Sequence, residues 1–231
     1  MLICGIDDAG RGPVIGPLVI AGILVNESDL QKLVQLGVKD SKLLSPRRRE
    51  ELAEQILGIV KRHSIVKVQP WEVDAVVEGG RRLNRLNRLE ARVMARIISE
   101  LKPDIVYVDA SDVLPERFKQ HILEEIPFEV KIVSEHKADK NYPVVSAASI
   151  IAKVERDREI ESLKRKYGDF GSGYPTDPKT INFLRNWIKT HDSYPDFVRK
   201  SWKTAKEIFR SRNERDQRIL SDYWRQQKSK E

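Results

Sequence analysis

Four aspartates are the residues of this sequence best placed to do chemistry. Asp7 and Asp8 follow the apolar run Leu2 to Ile6, Asp109 follows the apolar run Ile105 to Val108, and Asp139 lies in the loop "SEHKADKNYP" ahead of a long helical stretch. Two adjacent carboxylates repel each other, and burial sharpens the conflict unless protons or a cation neutralise them. If the strands that end at these aspartates are parallel neighbours, their ends are ~5 Å apart and the carboxylates can converge. Donors that are all oxygen, with a single cysteine, Cys4, and no histidine pair at metal spacing, select Mg²⁺ or Mn²⁺ over zinc. Any one of the four, taken alone, reads more simply as a turn residue or helix cap. The adjacent pair resists that explanation.

Gly10, Arg11 and Gly12 come next. Glycines let backbone amides approach a ligand closely, and Arg11 between them offers a guanidinium to a phosphate, although a tight turn uses the same residues. The glycines of "GRGPVIG" are spaced one residue too long for the dinucleotide fingerprint, and Pro13 with a following strand stands where that motif needs a helix. No GK[ST] follows, so a P-loop is excluded as well.

The elements that must hold these residues can be read from periodicity. Leu2 to Ile6 and Leu18 to Val25 form a hairpin, which places Asp7 and Asp8 at a strand terminus. Ser28 opens a helix with Leu30, Leu33 and Val34 on one face, and Ser45 with Pro46 opens another carrying Leu52, Ile56, Leu57 and Val60. Ser64 to Val68 is a third strand, and a brief helix from Pro70 ends at Gly79 and Gly80. From Arg81 to Leu101 the pattern is strongly two-sided: Leu83, Leu86, Val93, Met94, Ile97 and Leu101 on one side, and Arg81, Arg85, Arg88, Arg92 and Arg96 as a stripe on the other. A solvated charged face is the commoner use of such a stripe, phosphate contact the sharper one. Glu90 falls inside the apolar arc, with nothing in the sequence to account for it. Strand Ile105 to Val108, a helix marked by Leu114, Phe118, Ile122 and Ile126, strand Phe128 to Val133, and the long helix of "VVSAASIIAKVERDREIESLKRKYG" follow. The small residues Ser146, Ala147, Ala148, Ser149 and Ala152 suit that helix to close backbone packing. Strands first in a meander and then alternating with helices make the class α/β around a mixed sheet. After the loop "GDFGSGYPTDPKT" come helices near 177–189 and 201–209, and from Ser211 the chain turns polar, as a mobile tail does.

The 231 residues, 40% of them apolar, are enough for a real core, and a formal charge of +7 permits a polyanionic partner without naming one. One cysteine leaves no internal disulfide, and the most apolar stretch, Val14 to Val25, is too short and too interrupted to span a bilayer. A cytoplasmic protein with no membrane partner is the expectation.

The runs "GIDDAGRGPVIGP", "GVKDSKLLS", "VYVDA", "EHKADKNYPVVSAASIIAKVERD" and "GDFGSGYPTDPKT" together resemble archaeal ribonuclease HII, the type 2 ribonuclease H, in order over about residues 1 to 210. The resemblance implies a ribonuclease H-like fold, a mixed five-stranded sheet flanked by helices with a helical C-terminal part from about 177. It implies a monomeric, metal-dependent endonuclease that hydrolyses RNA in RNA/DNA hybrids and cuts 5′ of ribonucleotides embedded in duplex DNA, leaving a 3′-hydroxyl and a 5′-phosphate. By the same resemblance Asp7, Asp8 and Asp109 are metal ligands and Asp139 is the fourth active-site carboxylate. Gly10, Arg11 and Gly12 would recognise the ribose 2′-hydroxyl and adjoining backbone, Lys42 would contact phosphate, and Tyr174 would stack against the sugar at the junction. One departure stands out: the family pattern reads Asp-Glu-Ala-Gly-Arg-Gly, whereas here the second carboxylate is Asp8, one methylene shorter. The alternative function is therefore a catalytically weak or inactive hybrid-binding protein, because of Asp8 in place of the usual glutamate.

In the segment 211–231, "QRILSDYW" matches the sliding-clamp binding pattern, a glutamine, a leucine three residues on, and two aromatics. One helical turn from Leu220 brings Tyr223 and Trp224 to the same side, an anchor for an apolar pocket, with Gln217 bonding separately. The competing use of such a segment is to fold its apolar side onto its own domain.

Overall fold

In the computed structural model, which describes residues 1–38, 44–78 and 82–213, five strands form one sheet. They are β1 (Leu2–Ala9), β2 (Leu18–Asn26), β3 (Arg62–Val68), β4 (Ile105–Asp109) and β5 (Lys131–Glu135), in the order β3-β2-β1-β4-β5. The first three make an antiparallel meander, and β4 and β5 add in parallel on the other side of β1. β1 is thus the central strand, and the two aspartate-bearing strands are parallel neighbours with Ile6 beside Val108.

Successive strand residues point to opposite faces, so each face has its own core. Ile3 and Ala9 of β1 face α1 (Leu30–Gln35), α2 (Pro46–Ile59) and α7 (Pro143–Tyr167). Cys4 and Ile6 face α3 (Pro70–Glu78), α4 (Arg82–Leu101) and α5 (Pro115–Leu123). A third cluster joins Val14 and Ile15, just after the glycine-arginine loop, to α8 (Pro178–Thr190) and to Phe170, Tyr194 and Phe197. A short helix, α6 (Ala138–Asn141), precedes α7, and a last helical stretch covers 203–213.

The cap read at Ser45 is present, its side chain accepting from the Arg48 amide at 3.2 Å, and Asp177 caps α8 by accepting from the Lys179 amide at 2.9 Å. Several boundaries differ. β1 runs on to Ala9 because β2 continues to pair with it, Asp8 opposite Ile20, so Asp7 and Asp8 belong to the end of the strand itself. Asn26, not Ser28, precedes the helical turn after β2. β5 begins at Lys131, where pairing with β4 begins, while Phe128 and Val130 pack on the core from an irregular segment. α5 stops at Leu123, and Ile126 reaches the same core from beyond it. Val34 and Leu57 are exposed, since their helices turn Leu33, and Leu52 with Ile56, toward the sheet. Along the arginine stripe, Arg88 and Arg92 pair with Glu124 and Glu125 on the solvent side, as a solvated face does. Arg81 lies outside the described residues. No described helix is long and apolar enough to cross a membrane.

Candidate active site

The register of β1 against β4 decides the geometry. Asp7 follows Ile6 and Asp109 follows Val108, and both sit on the pleat phase that faces α7. Asp139 enters from α6 on the same face. Asp7, Asp109 and Asp139 each offer a carboxylate oxygen, and these oxygens lie within 4.8 Å of one another. Asp7 is 6% and Asp139 8% exposed and Asp109 is half-buried, so the group is a largely buried acidic cluster at the ends of two interior strands. The Ala138 amide donates to Asp109 Oδ1 at 3.2 Å, tying α6 to the end of β4. Asp139 sits in that helix rather than in a loop, and the Ser146 hydroxyl of α7 donates to its backbone carbonyl.

Burial, then the negative charges of Asp8 and Asp109, push the Asp7 carboxyl well above the usual carboxylate range. The Ser149 hydroxyl of α7 and the Asp8 amide, 2.8 Å from Asp7 Oδ1, pull back against them. Hard oxygen donors converging in a site that resists holding its own negative charge fit a divalent cation of the Mg²⁺ or Mn²⁺ class.

Asp8 occupies the opposite pleat phase. Its Oδ1 accepts from the Ser111 hydroxyl at 3.2 Å, and Arg11 is its main source of positive charge. Burial raises its carboxyl, the Arg11 guanidinium and the Ser111 hydrogen bond lower it, and Asp109 raises it again. The structure therefore brings three of the four aspartates together and sets Asp8 beside them on the α4 side of the sheet.

The loop from Gly10 to Gly16 borders the cluster. Gly10 has φ +89°, and a side chain there would meet Arg156 at 2.6 Å and the Pro17 carbonyl at 2.7 Å, so only glycine fits. Gly12 is exposed, and a methyl group on it would touch the Tyr174 ring at 3.5 Å, which puts Tyr174, itself 43% exposed, directly over the loop. Arg156 of α7 lies 5.6 Å from the centre of that ring. Lys42, Gln217, Leu220, Tyr223 and Trp224 lie outside the described residues.

The sequence did not reveal who holds Arg11. Its Nη1 pairs with Glu90 Oε2, and its Nη2 donates to Asn87 Oδ1 at 2.7 Å. Asn87 Nδ2 donates to Asp112 Oδ2 at 2.8 Å, and Asp112, gripped by Arg117, is held down to about 2. Burial and Asp8 push Glu90 up to about 8 against the opposing pull of Arg11. The signal was present as a carboxylate in an apolar arc. What it lacked was a partner, which lies 79 residues away.

The sequence profile of the family described as "Ribonuclease HII" matches residues 4–205. The chain belongs to the ribonuclease HII family. The ribonuclease HII of Thermococcus kodakarensis is 50% identical over 210 residues, 90% of each chain. The ribonuclease H2 structure of Pyrococcus horikoshii superposes with TM-score 0.85 at 44% identity, covering 91% of this chain and 98% of that one. The ribonuclease HII of Archaeoglobus fulgidus, solved in complex with PCNA, gives TM-score 0.79 at 50% identity, covering 88% of this chain and 96% of that one. As a ribonuclease HII the chain is a nuclease of the ribonuclease H type on the ribonuclease H-like fold, and the acidic cluster lies where its central strands end.

Proposed function

We propose that this ribonuclease HII hydrolyses the RNA strand of RNA/DNA hybrids and cuts on the 5′ side of ribonucleotides embedded in duplex DNA, with Asp7, Asp8, Asp109 and Asp139 as its catalytic carboxylates. The convergence of Asp7, Asp109 and Asp139 within 4.8 Å is the observation that carries this reading. Divalent cations bound there, Mg²⁺ or Mn²⁺, supply water activation and charge neutralisation at the departing 3′-oxygen. The chain's own work is to hold the carboxylates on stiff strand ends, to orient Asp7 through Ser149, and to offer the Gly10 to Gly12 backbone and the Tyr174 ring to the sugar at the junction. Asp8, facing Ser111 and Arg11, would add its charge to the cation-holding group from the other side of the sheet.

The test is cleavage of a duplex carrying one ribonucleotide, with Mg²⁺ and beside an all-DNA control. The expected products are a 3′-hydroxyl and a 5′-phosphate at one site, from the first duplex only. Asp7→Asn should reduce the rate at least on the order of a hundredfold, since it removes a ligand from a site that supplies several kcal/mol of charge stabilisation. Binding without cutting by the unaltered protein would favour the hybrid-binding alternative instead.

The clamp motif at Gln217, Leu220, Tyr223 and Trp224 is supported by its spacing and by the PCNA complex of the Archaeoglobus fulgidus relative. Here 1–210 is the catalytic unit, and deletion of 215–231 should spare cleavage while abolishing capture by an immobilised sliding clamp. Capture that survives the deletion would rule the motif out.

A further inference from the structure

Helix α4 packs its apolar side on the sheet, yet two polar residues stand on that side one turn apart. Asn87 is 5% exposed and Glu90 is fully buried. A carboxylate in such a place is costly unless it is paired and its hydrogen bonds are directional. The partner is Arg11, the middle residue of the glycine-arginine-glycine loop, which donates through one arm to Glu90 and through the other to Asn87. Behind Asn87 the chain of bonds continues to Asp112, which the Arg117 Nε reaches at 3.0 Å and the Leu114 amide at 2.9 Å. The guanidinium is therefore gripped by groups that are themselves fixed. At its other end Arg11 is held by its backbone carbonyl, which accepts from Arg199 at 2.8 Å.

We infer that Glu90 is a positioning residue for ribonucleotide selection: by fixing the Arg11 side chain it sets the Gly10 to Gly12 backbone beside the acidic cluster. This rests on the proposed function and adds to it a residue outside the loop and the cluster. Arg11 then acts chiefly as an anchor, and the loop meets the substrate through its backbone and the Tyr174 ring. Arg199 and Trp202 hold the Gly10, Arg11 and Gly12 carbonyls from the C-terminal side, and with no side chain at either glycine, Arg11 is the residue of this trio that can tie it to α4. Selecting a single 2′-hydroxyl demands that donors and acceptors stay within a few tenths of an ångström, which a loosened loop cannot provide.

The experiment measures equilibrium binding in chelator, where nothing is cut, to a duplex with one ribonucleotide and to the same duplex in all-DNA form. The variants are Glu90→Gln, which keeps shape and one acceptor, Glu90→Leu, which keeps neither, and each again in an Arg11→Ala background. We expect Glu90→Leu to reduce the preference for the ribonucleotide roughly tenfold, the worth of one charge-assisted hydrogen bond, with Glu90→Gln in between and binding to all-DNA duplex little changed. In the Arg11→Ala background neither substitution should reduce the preference further. With metal restored, the loss should appear in KM more than in kcat. An unchanged preference in both variants, or a loss that is fully additive with Arg11→Ala, would overturn the role. So would a loss that affects both duplexes equally and tracks a lower melting temperature, and Glu90→Gln, being isosteric, keeps the test open if Glu90→Leu fails to fold. If the unaltered protein itself shows no preference, the proposed function is refuted and this role with it; a preference that every variant retains refutes this role alone.

Discussion

Asp7 is placed where its own charge is unwelcome, and the consequences can be measured without any substrate. Its folded carboxyl lies above the unfolded value of 3.8, raised by burial first and by Asp8 and Asp109 next. The folded state therefore binds this proton more tightly than the unfolded chain does. Whatever stability the neutral carboxyl contributes is fully present below about pH 3.8 and is eroded as pH rises through the elevated folded value. At pH 7 in chelator, Asp7→Asn should melt higher than the unaltered protein, by roughly 2–4 °C for each kcal/mol of relieved repulsion. Adding Mg²⁺ should raise the melting temperature of the unaltered protein and do far less for the variant, because only an intact ligand set couples ion binding to folding. A variant that melts lower than the parent in chelator would show that Asp7 is not strained as described. Asp7, Asp8 and Asp109 were legible because they end apolar runs, and Asp139 because it stands just ahead of a long helical stretch. Their sidedness was legible too: neighbours on a strand point to opposite faces, so Asp7 and Asp8 could not both face α7. The identity of Arg11's partners was not legible, since nothing local connects it to Asn87 and Glu90.

At the level of elements, the distance between β1 and α7 fixes whether Ser149 can reach Asp7. Gly5 makes that distance possible. A side chain at Gly5 would run into the backbone of Val144 and lie 2.7 Å from the Val145 nitrogen, at the first turn of α7. Backbone of a buried helix cannot step aside as a side chain can, so Gly5→Ala should push α7 outward and move Ser149, and with it the α6 to α7 junction that carries Asp139. Gly22 on β2 is the control: a side chain there meets Ile97 and, at 3.4 Å, Leu101 of α4, on the other face of the sheet. Both substitutions should cost about 1–3 kcal/mol as overpacked cores do, but only Gly5→Ala should also lower kcat in assays run well below its melting temperature. Equal effects on kcat would detach the Gly5 contact from the site. The run of small residues at Ser146 to Ser149 announced a close helix approach correctly, but the sequence could not say against which strand, nor that both serines bond aspartates, Ser149 the Asp7 carboxyl and Ser146 the Asp139 carbonyl. The arginine stripe shows the opposite limit. Its periodicity gave the exposed face of α4, and only the position of Glu124 and Glu125 showed that part of it is spoken for.

Across the whole molecule, the segment that borders the active site near the N-terminus is carried by residues close to the other end. The loop 10–16 contributes Val14 and Ile15 to the core shared with α8 and Phe197, and its backbone is bonded to that region at several points: Val14 N to the Gly173 carbonyl, Gly16 N to the Phe197 carbonyl, and Arg199 N to the Val14 carbonyl. Arg199 is fully buried, and its guanidinium donates to the carbonyls of Gly10 at 2.6 Å, Arg11 at 2.8 Å and Gly16 at 3.1 Å. Burial pulls that guanidinium down to about 10, still cationic at neutral pH, and its Cζ lies 4.8 Å from the centre of the Trp202 ring. Trp202 in turn donates to the Gly12 carbonyl at 3.0 Å. The helical C-terminal part thus holds the Gly10 to Gly16 loop in place, a relation spanning almost the entire chain that no window of sequence contains. Arg199→Met would strand several buried carbonyls, each costing about 1–3 kcal/mol, and should lower the melting temperature steeply. Trp202→Phe removes one hydrogen bond while keeping a ring under Arg199, and should cost only about 0.5–1.5 kcal/mol. Because the Trp202 indole holds the Gly12 carbonyl, its loss should raise KM for the ribonucleotide duplex and leave kcat near that of the parent. A fall in kcat with KM unchanged would mean that the C-terminal part acts on the carboxylates and not on the loop.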